Sequence, residues 1–226
     1  MKIILKTKIP SNPANCIFYA SWELFCCTLS PINFHTFCFT CVYRSDLRRN
    51  ARRIADLFMA CYSTADKFGY SSIAIILMGM IKLGVRVEQR LVFNKFGDVA
   101  MKHVDSFDGR HLSNVLWAFA KANIPAPELF NASGKVIPRL ANSMNHQDIA
   151  NILWAYAKMG IQARGVFVSL QRRITEEAAL LTPQHTVQIL WAYATLDIES
   201  PIVLNATERR IPEMVTMTKM SFLTTV

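Results

Sequence analysis

Glycine and proline are scarce in this chain, 8 and 9 of 226 residues, while 52% of the residues are hydrophobic. A composition so poor in chain breakers and so rich in apolar side chains excludes an intrinsically disordered protein and permits a buried core. Acidic residues are also short: 16 Asp and Glu face 25 Lys and Arg, for a formal net charge of +9. That balance favours an anionic partner, a nucleic acid or an acidic protein surface, without choosing between them. No GxSxG, P-loop, HExxH or paired CxxC framework occurs. The sequence therefore gives no support for an enzyme, and it points to no metal, no cofactor and no small-molecule substrate.

A long apolar run is missing too. In residues 1–45, Lys2, Lys6 and Lys8 precede an apolar stretch at 16–42, but Glu23, Pro31, Asn33 and His35 interrupt it. It falls short of the roughly 20 consecutive apolar residues of a membrane span, so membrane insertion is not expected. The segment is acid-poor like an organelle presequence without being notably Ser-rich, and non-native coding sequence is a further reading. Cys16, Cys26, Cys27, Cys38 and Cys41 lie here, and Cys38-Phe-Thr-Cys41 has the spacing of a zinc or redox pair. A structural zinc site needs a second pair, and Cys26 and Cys27 are adjacent, so the cysteines read as small apolar side chains.

What the sequence has in abundance is repetition. The stretches NVLWAFAKANI from Asn114, NILWAYAKMGI from Asn151 and QILWAYATLDI from Gln188 place tryptophans at 117, 154 and 191, 37 residues apart each time. A fixed period of this length signals a solenoid. Each motif is preceded at one repeat position by a capping residue, Asp108, Asn145 or Thr182, so helix A is expected over 109–122, 146–159 and 183–196. Helix B follows as LFNASGKVIP, VFVSLQRRIT and VLNATERRIP, with apolar anchors at Phe130, Phe167 and Leu204 and again at Ile137, Ile174 and Ile211. A weaker copy, LMGMIKLG then VFNKFGDVAM, has Met78 in place of the tryptophan and a turn two residues longer. Residues 46–64 read as a lone B helix carrying Arg48, Arg49, Arg52 and Arg53 on one side. The expected organisation is an N-terminal segment at 1–45, a helical array at 46–216 and a tail at 217–226. The fold class is all-α, a right-handed α-solenoid of two-helix repeats.

A helical wheel divides helix A into two faces. Leu112, Val115, Leu116 and Phe119, with Ile149, Ile152, Leu153 and Tyr156 in the next copy, should pack against helix B of the same repeat. The opposite face carries Arg110, Asn114, Trp117, Ala118 and Lys121, then Gln147, Asn151, Trp154, Ala155 and Lys158, then Gln184, Gln188, Trp191, Ala192 and Thr195. A solenoid aligns such positions into columns. Amide side chains both donate and accept and so suit the edges of splayed bases, lysines suit phosphates, and tryptophans supply stacking planes. The competing structural reading has the tryptophans filling the groove between repeats and the amides forming a solvated face or a hydrogen-bonded ladder. On helix B, Lys135, Arg172 and Arg209, with Arg173 and Arg210, form a basic column, either a solvated face or a phosphate path. His111 and His185 share a repeat position with Asp148, the pattern expected of a tolerant exposed site, and Glu176 and Glu177 read as neighbouring surface charges.

The LWAFAK and LWAYAK motifs with a period of 37 and two helices per repeat resemble the organellar RNA-binding helical repeats of algae and protists, the octotricopeptide and heptatricopeptide families. They also resemble the repeat domain of subunit six of the trypanosome RNA-editing substrate-binding complex and the repeats that precede RAP domains. The resemblance covers about residues 66–212 and is strongest over 107–193. It implies an α-solenoid acting without chemistry of its own on mitochondrial or plastid transcripts, in processing, stability, editing or translation. No RAP-like domain follows the last B helix, and three clear repeats with one degenerate copy make a short footprint, as for a piece of a longer array. Two functions remain open: a single-stranded RNA-binding module of the mitochondrion, or of the plastid, working beside other RNA-processing proteins; and a protein-binding scaffold in the manner of armadillo or HEAT arrays, which an uncovered apolar groove would favour.

Overall fold

The computed structural model describes residues 58–83, 90–209 and 211. Among them every regular element is helical: residues 58–63, then α1 (Tyr70–Leu83), α2 (Arg90–Lys102), α3 (Gly109–Ala122), α4 (Pro127–Leu140), α5 (His146–Lys158), α6 (Arg164–Glu176), α7 (Pro183–Thr195) and α8 (Pro201–Glu208). The odd-numbered helices are the A helices and the even-numbered ones the B helices. Successive A helices pack on one another and successive B helices do the same, giving a two-layer stack of helix pairs. The segment with Arg48, Arg49, Arg52 and Arg53, the cysteines at 16–41 and the tail at 217–226 lie outside the described residues. Among the described residues no helix is long and apolar enough to cross a membrane.

The caps explain where the A helices begin. The Asp108 carboxylate accepts the His111 N–H at 2.8 Å, Asn145 Oδ1 accepts that of Asp148 at 2.9 Å, and Thr182 Oγ1 accepts that of His185 at 3.3 Å. Each supplies a partner to a first-turn N–H that the helix cannot satisfy, at about 1 kcal/mol apiece. The ends are equally regular. Asn123, Gly160 and Asp197, again 37 residues apart, take left-handed φ values of 53°, 66° and 52°. The next residue, an isoleucine each time, donates its N–H back into the helix: Ile124 to Phe119 O, Ile161 to Tyr156 O and Ile198 to Tyr193 O. This Schellman closure turns the chain sharply towards helix B.

Between each B helix and the next A helix lies a feature the sequence did not announce, a short 3-10 turn. It occupies Ala65–Lys67, Val104–Ser106, Ala141–Ser143 and Ala178–Leu180. An extended residue follows, Phe68, Phe107, Met144 or Leu181, and each is buried. That buried residue anchors the connector on the core before the cap starts the next helix.

One aromatic contact recurs at the repeat junctions, and it sets Phe119 and Tyr156 against helix B of the preceding repeat where helix B of their own repeat was expected. Phe93 of α2 meets Phe119 of α3, Phe130 of α4 meets Tyr156 of α5, and Phe167 of α6 meets Tyr193 of α7, all edge-to-face at 5.0–5.2 Å between centroids. Burying such a ring contributes about 1.5–3 kcal/mol, and the pairing geometry adds about 0.5–1.5 kcal/mol. Ala118, Ala155 and Ala192, which the helical wheel assigned to the polar face, are fully buried. Their missing bulk lets neighbouring A helices approach closely. Leu204 and Ile211 depart from the expected anchor role: Leu204 is 55% exposed and Ile211 is exposed too. The earlier anchors are covered by the following A helix, and no A helix covers these two among the described residues.

Candidate nucleic-acid interface

The A-helix columns fall on the outer side of the A layer. Arg110, Gln147 and Gln184 are exposed in the first turns, and Lys121 and Lys158 are exposed near the helix ends. Asn114, Asn151 and Gln188 are half-buried, each one turn from the seam of alanines. Among the described residues their amides make no hydrogen bond, so no ladder of amides ties the helices together. These groups stay wet and unpartnered, in register along one surface.

The tryptophans behave differently from the amides. Trp117 and Trp154 are half-buried and lie against each other, with centroids 6.3 Å apart and planes at 37°. Lys121 Nζ sits 6.0 Å from the Trp117 centroid, the outer limit of a cation–π contact. Trp154 also packs on the core. Trp191, 41% exposed, is the tryptophan of the three with the most open ring.

The basic column lies in the B layer, and much of it is already engaged. Arg172 Nη2 donates to Asn142 Oδ1 at 2.6 Å and its Nε lies 3.5 Å from Glu176. Arg173 donates through Nε to the Met144 carbonyl at 2.9 Å, and pairs through its two other nitrogens with Glu176 at 3.1 Å and Glu177 at 2.6 Å. Only 23% of its side chain is exposed, so it is a junction tie and not part of a solvated face. Lys135 and Arg209 are exposed, and Arg210 lies outside the described residues. Further ties run along the same layer. Lys95 and Lys102 reach Asp66 at 2.7 and 3.4 Å, and Arg139 reaches Asp105 at 3.1 Å and its carbonyl at 2.6 Å. The hydrogen bond from Lys95 holds the Asp66 carboxyl below its usual pKa, against the opposing effect of desolvation.

Two clusters escape a reading by residue type. Asp148 is 5% exposed, closes a capping box with Asn145, and accepts the Ser113 hydroxyl from α3 at 3.0 Å. It is a buried link between repeats, where a tolerant exposed site was expected. At the same position in the next repeat, the His185 ring meets that of His146 at 5.0 Å with planes tilted by 46°, and His146 Nδ1 lies 3.4 Å from Glu177. Glu177, whose side chain is 12% exposed, is thus held between Arg173 and His146 and is not a free surface charge. Burial first, then the neighbouring His146, lowers the pKa of His185. The shared repeat position of His111, Asp148 and His185 was the signal, since all three face the preceding A helix, at Tyr70, Ser113 and His146. Among the described residues no group of three or more His, Cys, Asp or Glu is placed to hold a metal ion.

No curated protein matches this chain. The sequence model of one family, described as RNA-editing substrate-binding complex 6 protein, matches residues 41–221. That span takes in all eight labelled helices and begins within the N-terminal segment set off at 1–45. By its two-helix repeats and by this match over most of its length, the chain belongs to the RNA-editing substrate-binding complex 6 protein family.

Proposed function

We propose that this chain is a non-catalytic, single-stranded RNA-binding repeat protein that works with other proteins in mitochondrial RNA editing. The observation that carries the reading is the row of unpartnered amides, Asn114, Asn151 and Gln188, in register on the A layer. Amides can read both donor and acceptor edges of unpaired bases, and a helical array presents one such position per repeat. The family description, which names an RNA-editing substrate-binding complex, supports the same class of ligand.

In this reading the strand follows the A layer. Arg110, Lys121 and Lys158, all exposed, face the phosphates. The B-layer residues Lys135 and Arg209 contribute to the positive potential that draws the strand in, while Arg172 and Arg173 are occupied in holding repeats together. The mutual contact of Trp117 and Trp154 leaves Trp191 as the stacking plane for a base.

The test is selection of the full chain against a randomised single-stranded RNA pool at two salt concentrations, beside the Asn114, Asn151 and Gln188 triple alanine variant. Enrichment of a short motif that the variant loses is the expected result. Binding that vanishes with salt and shows no motif would transfer the function to protein scaffolding.

A further inference from the structure

The α1–α2 repeat keeps the outward geometry of the A layer and changes its chemistry. Both α1 and α3 are 14 residues long, and they begin at Tyr70 and Gly109. Aligned from those starts, their inner positions agree: Ile73, Ile76, Leu77 and Met80 are buried as Leu112, Val115, Leu116 and Phe119 are. The outward positions agree as well. Ile75 is half-buried like Asn114, Met78 is half-buried like Trp117, and Lys82 is exposed like Lys121. The amide row thus extends onto α1 in place but not in kind, because the Ile75 side chain can neither donate to a base edge nor accept from one. The lysine row is offset from the amides by one repeat. It runs through Lys82, Lys121 and Lys158 on α1, α3 and α5 and gives way to Thr195 on α7, whereas the amides run through α3, α5 and α7.

We propose that α1 holds a nucleotide without selecting its base, an inference that rests on RNA running along the A layer. Lys82 meets the phosphate, and Ile75 with Met78 offers an apolar surface to the flat face that every base possesses. On each of α1, α3 and α5 the lysine follows the Ile75, Asn114 or Asn151 position by seven residues, about 10 Å along a helix that rises 1.5 Å per residue. The sugar-phosphate backbone therefore tracks the C-terminal ends of these helices, with the bases turned back towards mid-helix. The α7 helix has the opposite make-up: Gln188 and the open ring of Trp191 face the strand with no lysine beside them. One side of the site anchors and the other discriminates, and Ile75 marks where base selection stops.

The test is a gain of specificity. Full-length Ile75→Asn and Ile75→Gln, each verified as folded by circular dichroism, are selected against the randomised single-stranded RNA pool beside wild type. At least one should enrich a motif one base longer, extended on the side of the base that Asn114→Ala makes degenerate. Replacing the added base should then weaken binding about tenfold, a loss of about 1.4 kcal/mol. Asn114→Ile, the converse change, should lose selection at its own base and keep the salt slope of wild type. Lys82→Ala should weaken all sequences alike and lower that slope by about one. Unchanged motif length in both Ile75 variants, or a base that becomes degenerate in Ile75→Ala, would overturn the proposal and leave the A-layer reading standing. A wild-type chain that enriches no motif would instead refute the A-layer reading, and this inference with it.

Discussion

The hydroxyl of Tyr156 donates to the carbonyl of Phe130 at 2.6 Å while their rings meet edge-to-face at 5.0 Å. One side chain thus supplies both the packing and the hydrogen bond that join the fourth helix to the fifth. Burial drives the phenol pKa far up, so the group stays neutral across the physiological range. Tyr156→Phe removes the hydroxyl and keeps the ring, and should cost about 1 kcal/mol. Phe130→Ala removes ring and packing, and should cost about 3–5 kcal/mol. Urea unfolding of the full chain measures both. A Tyr156→Phe variant as unstable as Phe130→Ala would show that the hydrogen bond dominates the packing.

Asp148 makes a second junction of a different kind. Its carboxylate serves the cap of α5 and the Ser113 hydroxyl of α3 together. Asp148→Ala should cost about 1–3 kcal/mol, because it breaks the capping box and leaves the buried Ser113 without that partner. Ser113→Ala should cost less, and the double variant less than the sum of the two, since they share one bond. A thermal-unfolding double-mutant cycle reads the coupling. Strict additivity would mean that Asp148 acts only as a cap.

These two junctions show why the sequence was legible in part. The A helices were readable because Asp108, Asn145 and Thr182 and the tryptophan motif repeat in type, and their observed starts coincide with the expected ones. The ladder of Phe130–Tyr156 and Phe167–Tyr193 was not, since a seven-residue spacing shows that a face is apolar without saying which repeat it meets. Arg173 was read as part of a solvated face or a phosphate path because charge is exposed by default. Its tie to Glu177 is a local i,i+4 pair, but its tie to the Met144 carbonyl reaches 29 residues back, which no local pattern links. The ends were placed to within one residue, but their left-handed closure was hidden because Asn123, Gly160 and Asp197 share a conformation and not a residue type.

That shared left-handed conformation makes a third prediction. Glycine adopts it without strain and other residues do so at a cost of order 1 kcal/mol, least for Asn and Asp. Gly160→Ala should therefore destabilise by about 1 kcal/mol, although nothing lies within 4 Å of an added Cβ. Asp197→Gly should be neutral or stabilising by up to about 1 kcal/mol. Chemical denaturation of the two variants gives opposite shifts of the midpoint if backbone conformation governs the site. Shifts of the same sign would point to side-chain effects.

A pH dependence follows from His185. Its Nδ1 is buried without a partner, and burial and His146 hold its pKa below the usual 6.5. Beside it stands His146, which in turn faces Glu177, itself paired with Arg173. In the unfolded chain the imidazole regains its ordinary affinity for protons, so between the lowered value and 6.5 the unfolded state binds more protons than the folded one. The contribution of His185 is therefore complete above pH 6.5 and declines as the pH falls towards the folded value. Thermal unfolding at pH 7.5 and 5.5 should show a larger drop for wild type than for His185→Gln. Equal drops would assign the acid sensitivity elsewhere.

The tryptophans separate stability from binding within one column. Trp154 lies between Trp117 and the core, so Trp154→Ala removes a contact on each side and should cost about 2–3 kcal/mol, somewhat under the range for a fully buried ring. Trp191 is 41% exposed, and Trp191→Ala should shift the unfolding free energy by about 0.5–1 kcal/mol. Its effect belongs in RNA affinity: loss of one stacked base is worth about 1–3 kcal/mol, so binding should weaken at least fivefold at fixed salt. The slope of affinity against salt should stay the same, because no phosphate contact is removed. A Trp191→Ala chain that binds RNA as wild type does would remove the stacking plane from the proposed interface. The amide row of Asn114, Asn151 and Gln188 would then have to discriminate bases alone.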